Sequence, residues 1–116
     1  MEKKIKRSVA TLLAHIIKVD NRDIEKEAPL FCSMLGEDFG CSEEEAREFL
    51  KRIVTEEEEY DLDQHIEIIA QALKDDKLSK MHILEQLNHI IYSDTITEED
   101  YKIFEEVKRK LFPEIS

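Results

Sequence analysis

Apolar residues recur at intervals of three and four along most of the chain, the spacing that places side chains on one face of an α-helix. Short polar segments that contain Asp, Asn, Ser or Thr interrupt this pattern, and these are the residue types that cap helices. The pattern predicts helices at about residues 2–19, 25–39, 43–53, 62–73, 78–92 and 98–111. Each predicted helix is amphipathic, so it must bury its apolar face against the others.

The apolar stripes also predict which side chains form the core. Nearly all of them are aliphatic or aromatic, as expected for a core without disulfides. The predicted core residues are Ile5, Val9, Leu12, Leu13, Ile16, Ile17, Ala28, Phe31, Leu35, Phe39, Ala46, Phe49, Leu50, Ile53, Leu62, Ile66, Ile69, Ala70, Leu73, Met81, Leu84, Leu87, Ile90, Ile91, Ile103, Phe104, Val107 and Leu111.

The segment from Val19 to Leu50 contains the clearest signals, and we expect the other helices to cover it. Gly40 stands where the second helix needs a left-handed residue at its end. Ser42 and Glu45 follow with the spacing of a capping box. These adjacent signals predict a sharp boundary between the second and third helices.

Composition supports an all-α fold. The 116 residues include only two glycines and two prolines, which leaves little material for β-turns, while 41% are hydrophobic. A chain of this length is expected to form a single domain over residues 1–116. No segment is long and apolar enough to span a membrane, and His15, Lys18 and Asp20 interrupt the resemblance of the N-terminal helix to a signal peptide. We therefore expect a cytoplasmic protein that does not insert into membranes.

The charge is strongly negative. The chain has 17 Lys and Arg against 28 Asp and Glu, giving a net charge of −11. Nucleic acids and anionic membranes are bound through clustered cations, so this balance argues against both as partners. It suits a basic protein surface or a cation, although the excess acid could equally serve solubility alone. The basic residues near the start of the first helix lie at the unfavourable end of the helix dipole, and we expect them to pair with acids elsewhere in the fold.

Two acidic turns are the candidate functional site. Asp20, Asp23 and Glu27 surround the first turn, and Asp94 and Glu99 surround the second. Carboxylate oxygens are the ligands that Mg²⁺ and Ca²⁺ prefer, so these five residues are candidate metal ligands. The alternative interpretation is that each is a helix cap or a first-turn acid. Aligning the two turns suggests a short internal repeat and therefore two helical hairpins with approximate pseudo-two-fold symmetry.

Catalytic patterns are weak in this sequence. It contains no phosphate-binding glycine loop and no nucleophile elbow. Cys32 and Cys41 lack the spacing of a zinc site, and we interpret them as small apolar residues. His82, Glu85 and His89 share a helix face, but a di-iron bundle would need a second such motif. The sequence therefore predicts a protein that is not an enzyme.

The order of these motifs resembles the tellurite-resistance TerB-like family, whose domain is also similar to the N-terminal domain of a membrane-anchored DnaJ-type co-chaperone. The family combines an apolar helix, an acidic turn followed by a glutamate, a helix that ends in Phe-Gly before Ser-x-Glu-Glu, and a second acidic turn. Asn21 stands where the family has a turn glycine, and Asn tolerates the left-handed conformation. The matching positions are Asp20 and Glu27, residues 39–44, and Asp94, Ile96 and Glu99.

This resemblance implies a compact bundle of about six helices with approximate internal two-fold symmetry. It also implies a bacterial protein associated with tellurite resistance or stress, with metal binding at the acidic turns. Two functional hypotheses follow. The first is a non-catalytic interaction module that binds a basic protein, and the alternative is a protein that binds Mg²⁺ or Ca²⁺ at its acidic turns.

Overall fold

The structure is a computed structural model that describes residues 2–115, and within that range it contains helices and connecting turns only. Six α-helices follow one another, with a short 3₁₀ helix at each end of the series. The α-helices are α1 (Lys6–Val19), α2 (Ile24–Asp38), α3 (Glu43–Val54), α4 (Leu62–Ala72), α5 (Lys77–Tyr92) and α6 (Glu98–Leu111), and the 3₁₀ helices are η1 (Lys3–Ile5) and η2 (Pro113–Ile115). The predicted all-α bundle of six helices is confirmed.

The first helix is the centre of the bundle. α1 contacts α2, α3, α4 and α5, while α2 with α3 and α5 with α6 form neighbouring pairs. Small residues such as Ala10 and Ala14, and even Ser8 and Thr11, are buried in α1 together with its aliphatic stripe. A helix buried on nearly every side must be surrounded by other helices. The expectation that the segment 19–50 is the centre and the other helices its cover is therefore wrong.

Side-chain caps mark most helix starts. Asp23, Ser42, Asp61, Asp76 and Thr97 each accept a hydrogen bond from a backbone N–H in the first turn of the helix that follows. Such caps satisfy donors that have no partner within the helix. These side-chain caps thus determine where α2 to α6 begin.

The junction between α2 and α3 forms at the predicted place. Gly40 has φ of 80°, the left-handed conformation expected at the end of a helix. Ser42 accepts from the backbone N–H of Glu45 at 3.1 Å, which is one half of the predicted capping box. The Glu45 carboxylate instead accepts a hydrogen bond from Lys6 at 2.7 Å. A charged partner on α1 therefore takes the side chain that would have closed the box.

One predicted core residue faces solvent. Met81 is 46% exposed, whereas Ile83 and Leu87 on the same helix are buried. Because each residue rotates by about 100° around a helix, Met81 lies on the opposite side from Ile83. The buried stripe of α5 also includes the polar residues Lys80 and Gln86.

Two of the cations near the start of α1 pair with acids from other elements, as predicted, whereas Lys4 pairs with the nearby Glu2. Lys6 pairs with Glu45 on α3, and Arg7 pairs with Glu58 in the loop before α4. Exposed pairs of this kind contribute about 0–1 kcal/mol each to stability, so they add little to the free energy of folding. Every helix within residues 2–115 is too short or too polar to cross a lipid bilayer.

Candidate functional site

The two acidic turns lie against each other. In the first turn (residues 20–23), Asn21 has φ of 51°, the left-handed conformation that a short polar side chain tolerates. The backbone N–H of Arg22 donates to Ile17 O at 3.0 Å and directs the chain toward α2. In the second turn (residues 93–97), Thr97 Oγ1 donates to Asp20 Oδ1 at 2.9 Å across 77 residues of sequence. The turns therefore form one structural unit.

Arg22 joins the two turns from within the protein. Its side chain is 2% exposed. The guanidinium donates to the carbonyl oxygens of Ile91 at 2.8 Å and Thr95 at 3.3 Å, to that of Ile90, and to Ser93 Oγ at 3.3 Å. The last carbonyls of a helix have no partner within the helix, and the dipole makes this end negative. A buried arginine at the end of α5 satisfies both requirements.

Two buried carboxylates flank Arg22. Its Nη2 atom lies 3.1 Å from Asp20 Oδ2 and 3.7 Å from Asp100 Oδ2. Asp100 also closes a capping box, because its Oδ2 accepts from Thr97 N at 3.0 Å and its own N–H donates to Thr97 Oγ1. We call Asp20, Arg22 and Asp100 the buried charge cluster. All three side chains are less than 5% exposed.

The buried charge cluster contains more acid than base. Burial and the neighbouring Asp20 carboxylate raise the pKa of Asp100 to about 6, although the Thr97 N–H and Arg22 act in the opposite direction. Three buried atoms of the cluster, Asp20 Oδ2, Arg22 Nε and Asp100 Oδ1, have no hydrogen-bond partner within residues 2–115. A proton therefore binds to this cluster more readily than to an ordinary aspartate.

The remaining candidate residues are divided between the interior and the surface. Glu27 is buried, and Ser93 Oγ donates to its Oε2 at 3.1 Å. Asp23 caps α2 by accepting from the N–H of Glu25 at 3.0 Å. Glu99 is exposed in the first turn of α6. Each of these positions corresponds to a cap, a first-turn acid or a contact between the turns.

Asp94 lies at the surface of the second turn. The backbone N–H of Thr95 donates to its Oδ1 at 2.7 Å, and Lys26 Nζ lies 3.3 Å from its Oδ2. The Thr95 N–H and the Lys26 ammonium hold the pKa of Asp94 below its usual value. Asp94 and Lys26 form an exposed link between the second turn and the start of α2, beside the buried link between the turns.

The five candidate ligands do not converge on one point. Across residues 2–115, no three His, Cys, Asp or Glu side chains are grouped as a metal ion would require. The structure does bring Asp20 and Glu27 of the first turn into contact with the second turn, but through Thr97 and Ser93. The Mg²⁺ or Ca²⁺ site stays a prediction.

Thermal unfolding of metal-stripped protein tests that prediction directly. Because the five candidate carboxylates do not converge within residues 2–115, we expect millimolar Mg²⁺ or Ca²⁺ to leave the Tm unchanged. A cation at about a hundred times its Kd would instead add about 2.7 kcal/mol. A rise in Tm that Asp20→Asn and Glu27→Gln both abolish would establish the cation site.

Two residues of this unit were missed by the sequence analysis. Arg22 lies in a polar segment and Asp100 near the start of the sixth predicted helix, and neither is among the five candidate residues. Asp100 follows Thr97 by three residues, the spacing of a capping box, and this spacing could have indicated its role. No local pattern indicates that Arg22 is buried, because its acceptors lie 68 to 73 residues away.

Comparison with known families identifies the chain. The family described as Tellurite resistance protein TerB matches residues 6–109. The chain belongs to the TerB family. The match begins with α1 and ends within α6, so it includes both acidic turns and the buried charge cluster. No curated protein and no solved structure matches the sequence of this TerB-family chain.

The cysteines of this TerB-family chain are free thiols with local partners. Cys32 Sγ donates to Cys41 O at 3.3 Å. Burial, together with the Glu45 side chain, raises the pKa of the Cys41 thiol to about 12. The thiolate is the nucleophilic form of cysteine, so Cys41 is poorly suited to nucleophilic chemistry at neutral pH.

Proposed function

We propose that this TerB-family chain is a non-catalytic interaction module that binds a basic protein surface in a stress-associated assembly related to tellurite resistance. The observation that carries the proposal is an exposed aromatic surface on the two helices that the second turn connects. Tyr92 is 57% exposed, Tyr101 is 56% exposed and Ile96 is 36% exposed. We call these three residues the tyrosine surface. Clustered exposed aromatic groups often mark sites where proteins bind one another.

The tyrosine surface surrounds a small cavity. The cavity has a volume of about 140 Å³ and is lined by the tyrosine surface together with residues such as Phe104 and Glu105. Tyr92 and Tyr101 both line the cavity, and the neighbouring Tyr101 hydroxyl raises the pKa of Tyr92. A cavity between two aromatic rings can receive one apolar or cationic side chain of a partner.

The charge around the tyrosine surface favours a basic partner. Glu105 lines the cavity, and Glu98 and Glu99 are exposed at the start of the same helix. The net charge of −11 adds a long-range attraction for cations. Screening over about 8 Å at physiological ionic strength should weaken that attraction, so binding is expected to be salt-dependent.

The buried charge cluster supports the same proposal through rigidity. Asp100 lies in the cavity lining and Arg22 binds the carbonyl of Thr95, next to Ile96. The second turn, which carries Ile96 and connects the helices of Tyr92 and Tyr101, is therefore tied to the first turn. A surface that is already ordered loses less entropy on binding.

Binding of a short labelled peptide in which lysines alternate with leucines tests the proposal by fluorescence anisotropy. We expect Tyr92→Ala and Tyr101→Ala each to weaken binding by about 1–2 kcal/mol, because both remove exposed aromatic contact area. Leu78→Ala is the matched control, since Leu78 is 80% exposed on the same helix as Tyr92 but outside the cavity lining. Equal effects of all three substitutions, or binding indifferent to salt, would count against the tyrosine surface.

A further inference from the structure

We propose a second and separate binding surface, a groove that takes an acidic peptide segment of a partner protein. The groove lies where η1 and the start of α1 face α2 and α3, and its volume is about 410 Å³. Its floor includes Phe31, Leu35 and Phe49. Its rim carries the cations Lys3, Lys4, Lys6, Arg7 and Arg52. We call this the basic groove.

The charge of the basic groove is opposite to that of the chain. Five of the residues lining it are Lys or Arg, and Glu45 is the one acid among them. The whole chain has 28 acids and 17 bases. A groove that concentrates cations on a strongly acidic protein attracts the opposite class of ligand from the rest of the surface.

The helix dipole adds to this positive potential. Four of the five cations lie in η1 or the first turn of α1, the end at which a helix is already positive. α1 has no acid in its first turn, and neither Glu2 before η1 nor Ile5 before α1 supplies a side-chain cap. The five helices that follow α1 each begin with an Asp, Ser or Thr side-chain cap instead. An anionic group in the basic groove would supply the compensation that α1 lacks.

Three cations of the rim, Lys3, Lys4 and Arg52, are accessible to a ligand, whereas Lys6 and Arg7 already pair with Glu45 and Glu58. Lys3 has no ion-pair partner among the residues that the structure describes, and Lys4 pairs only with Glu2, with both side chains more than half exposed. Exposed pairs of this kind are weak and exchange readily for a competing anion. Arg52 packs over the Phe49 ring at 5.7 Å, which leaves its guanidinium at the groove edge.

The floor of the basic groove requires an apolar group in the ligand. Phe49 is half-buried and stacks on the fully buried Phe31, with ring centroids 6.1 Å apart. A leucine or phenylalanine of the ligand can pack against the part of Phe49 that Phe31 and Arg52 leave exposed in the groove. The cations are spread from η1 to α3, so they match several carboxylates along a peptide better than the single head group of a fatty acid. The inferred ligand is therefore a segment in which Asp or Glu alternates with apolar residues.

The experiment uses a labelled peptide in which glutamates alternate with phenylalanine and leucine, and a second peptide with lysines in place of the glutamates. We expect the wild-type chain to bind the glutamate peptide, and the pair of substitutions Lys3→Glu and Lys4→Glu to weaken that binding about tenfold. The pair Lys74→Glu and Lys77→Glu is the matched control. It changes the net charge equally, and both residues are exposed and outside the groove lining.

Amide chemical shifts locate the bound peptide. Shifts at Cys41, Phe49 and residues 3–7 are expected. The proposal would be overturned if the glutamate peptide did not bind, or if both pairs of substitutions weakened its binding equally. It would also be overturned if oleate displaced the peptide and the chain bound the glutamate and lysine peptides equally well. Shifts confined to Tyr92 and Tyr101 would also overturn it, while leaving the function proposed for the tyrosine surface intact. Because the substituted lysines are exposed, the variants should retain the Tm of the wild type, which verifies that they fold.

Discussion

Replacing Arg22 with methionine is expected to lower the free energy of unfolding by about 3–5 kcal/mol, the usual result of removing one partner from a buried ion pair. The substitution leaves Asp20 and Asp100 without their cation in the protein interior. It also removes the donor that satisfies the carbonyls of Ile90 and Ile91 at the end of α5. Thermal and urea unfolding should show the loss, with a decrease in Tm of about 15 °C or more.

Two comparisons separate this effect from the general loss of a positive charge. Arg109→Met removes an arginine that is 59% exposed and should change stability by no more than about 0.5 kcal/mol. Lowering the pH should partly restore the stability of Arg22→Met, because protonation of Asp100 removes a negative charge that Arg22 would have balanced. A loss of stability equal to that of Arg109→Met would show that Arg22 does not hold the turns together.

Between pH 4 and pH 7 the free energy of unfolding of the wild type is expected to fall by about 3 kcal/mol because of Asp100, and Asp100→Asn should remove this change. The pKa of Asp100 is 3.8 in the unfolded reference and about 6 in the folded chain. Between these values the folded state holds a proton that the unfolded state has released. The contribution of Asp100 to the free energy of unfolding is therefore fully present below about pH 4 and is lost as the pH rises through 6.

The difference between wild type and Asp100→Asn isolates this contribution from other titrating groups. Burial lowers the pKa values of His15 and His65, and these groups give the opposite slope because their stabilising contribution is lost as the pH falls. We expect Asp100→Asn to gain stability relative to wild type as the pH increases, measured by urea unfolding at each pH. Glu98→Gln, an exposed acid in the same helix turn, is the control. A difference that is constant with pH would contradict a raised pKa at Asp100.

The sequence was sufficient where local chemistry determines the structure. Gly40 and Ser42 fix a helix junction through their own backbone and side-chain preferences, and Asn21 fixes a left-handed turn in the same way. The aliphatic stripe of α1 likewise identified core residues. These features depend on neighbours within a few positions, so periodicity and capping rules could predict them.

Prediction failed where distant contacts decide the outcome. Arginine in a polar turn is normally exposed, and the burial of Arg22 depends on carbonyls at the far end of α5. Met81 faces solvent because the buried stripe of α5 passes through Ile83 and Leu87. Met81 lies two residues before Ile83, and a shift of two residues moves a side chain to the opposite side of a helix. The sequence located the acidic turns but did not reveal that an arginine joins them.

The central position of α1 has a consequence for synthesis. All four helices that pack on α1 lie after it in the chain, and the last of them, α5, ends at Tyr92. During translation α1 therefore emerges before every helix that covers it, and its native contacts are complete only after α5 has been made. Chains of this kind expose aggregation-prone surface on the ribosome and are natural clients of chaperones that hold apolar segments.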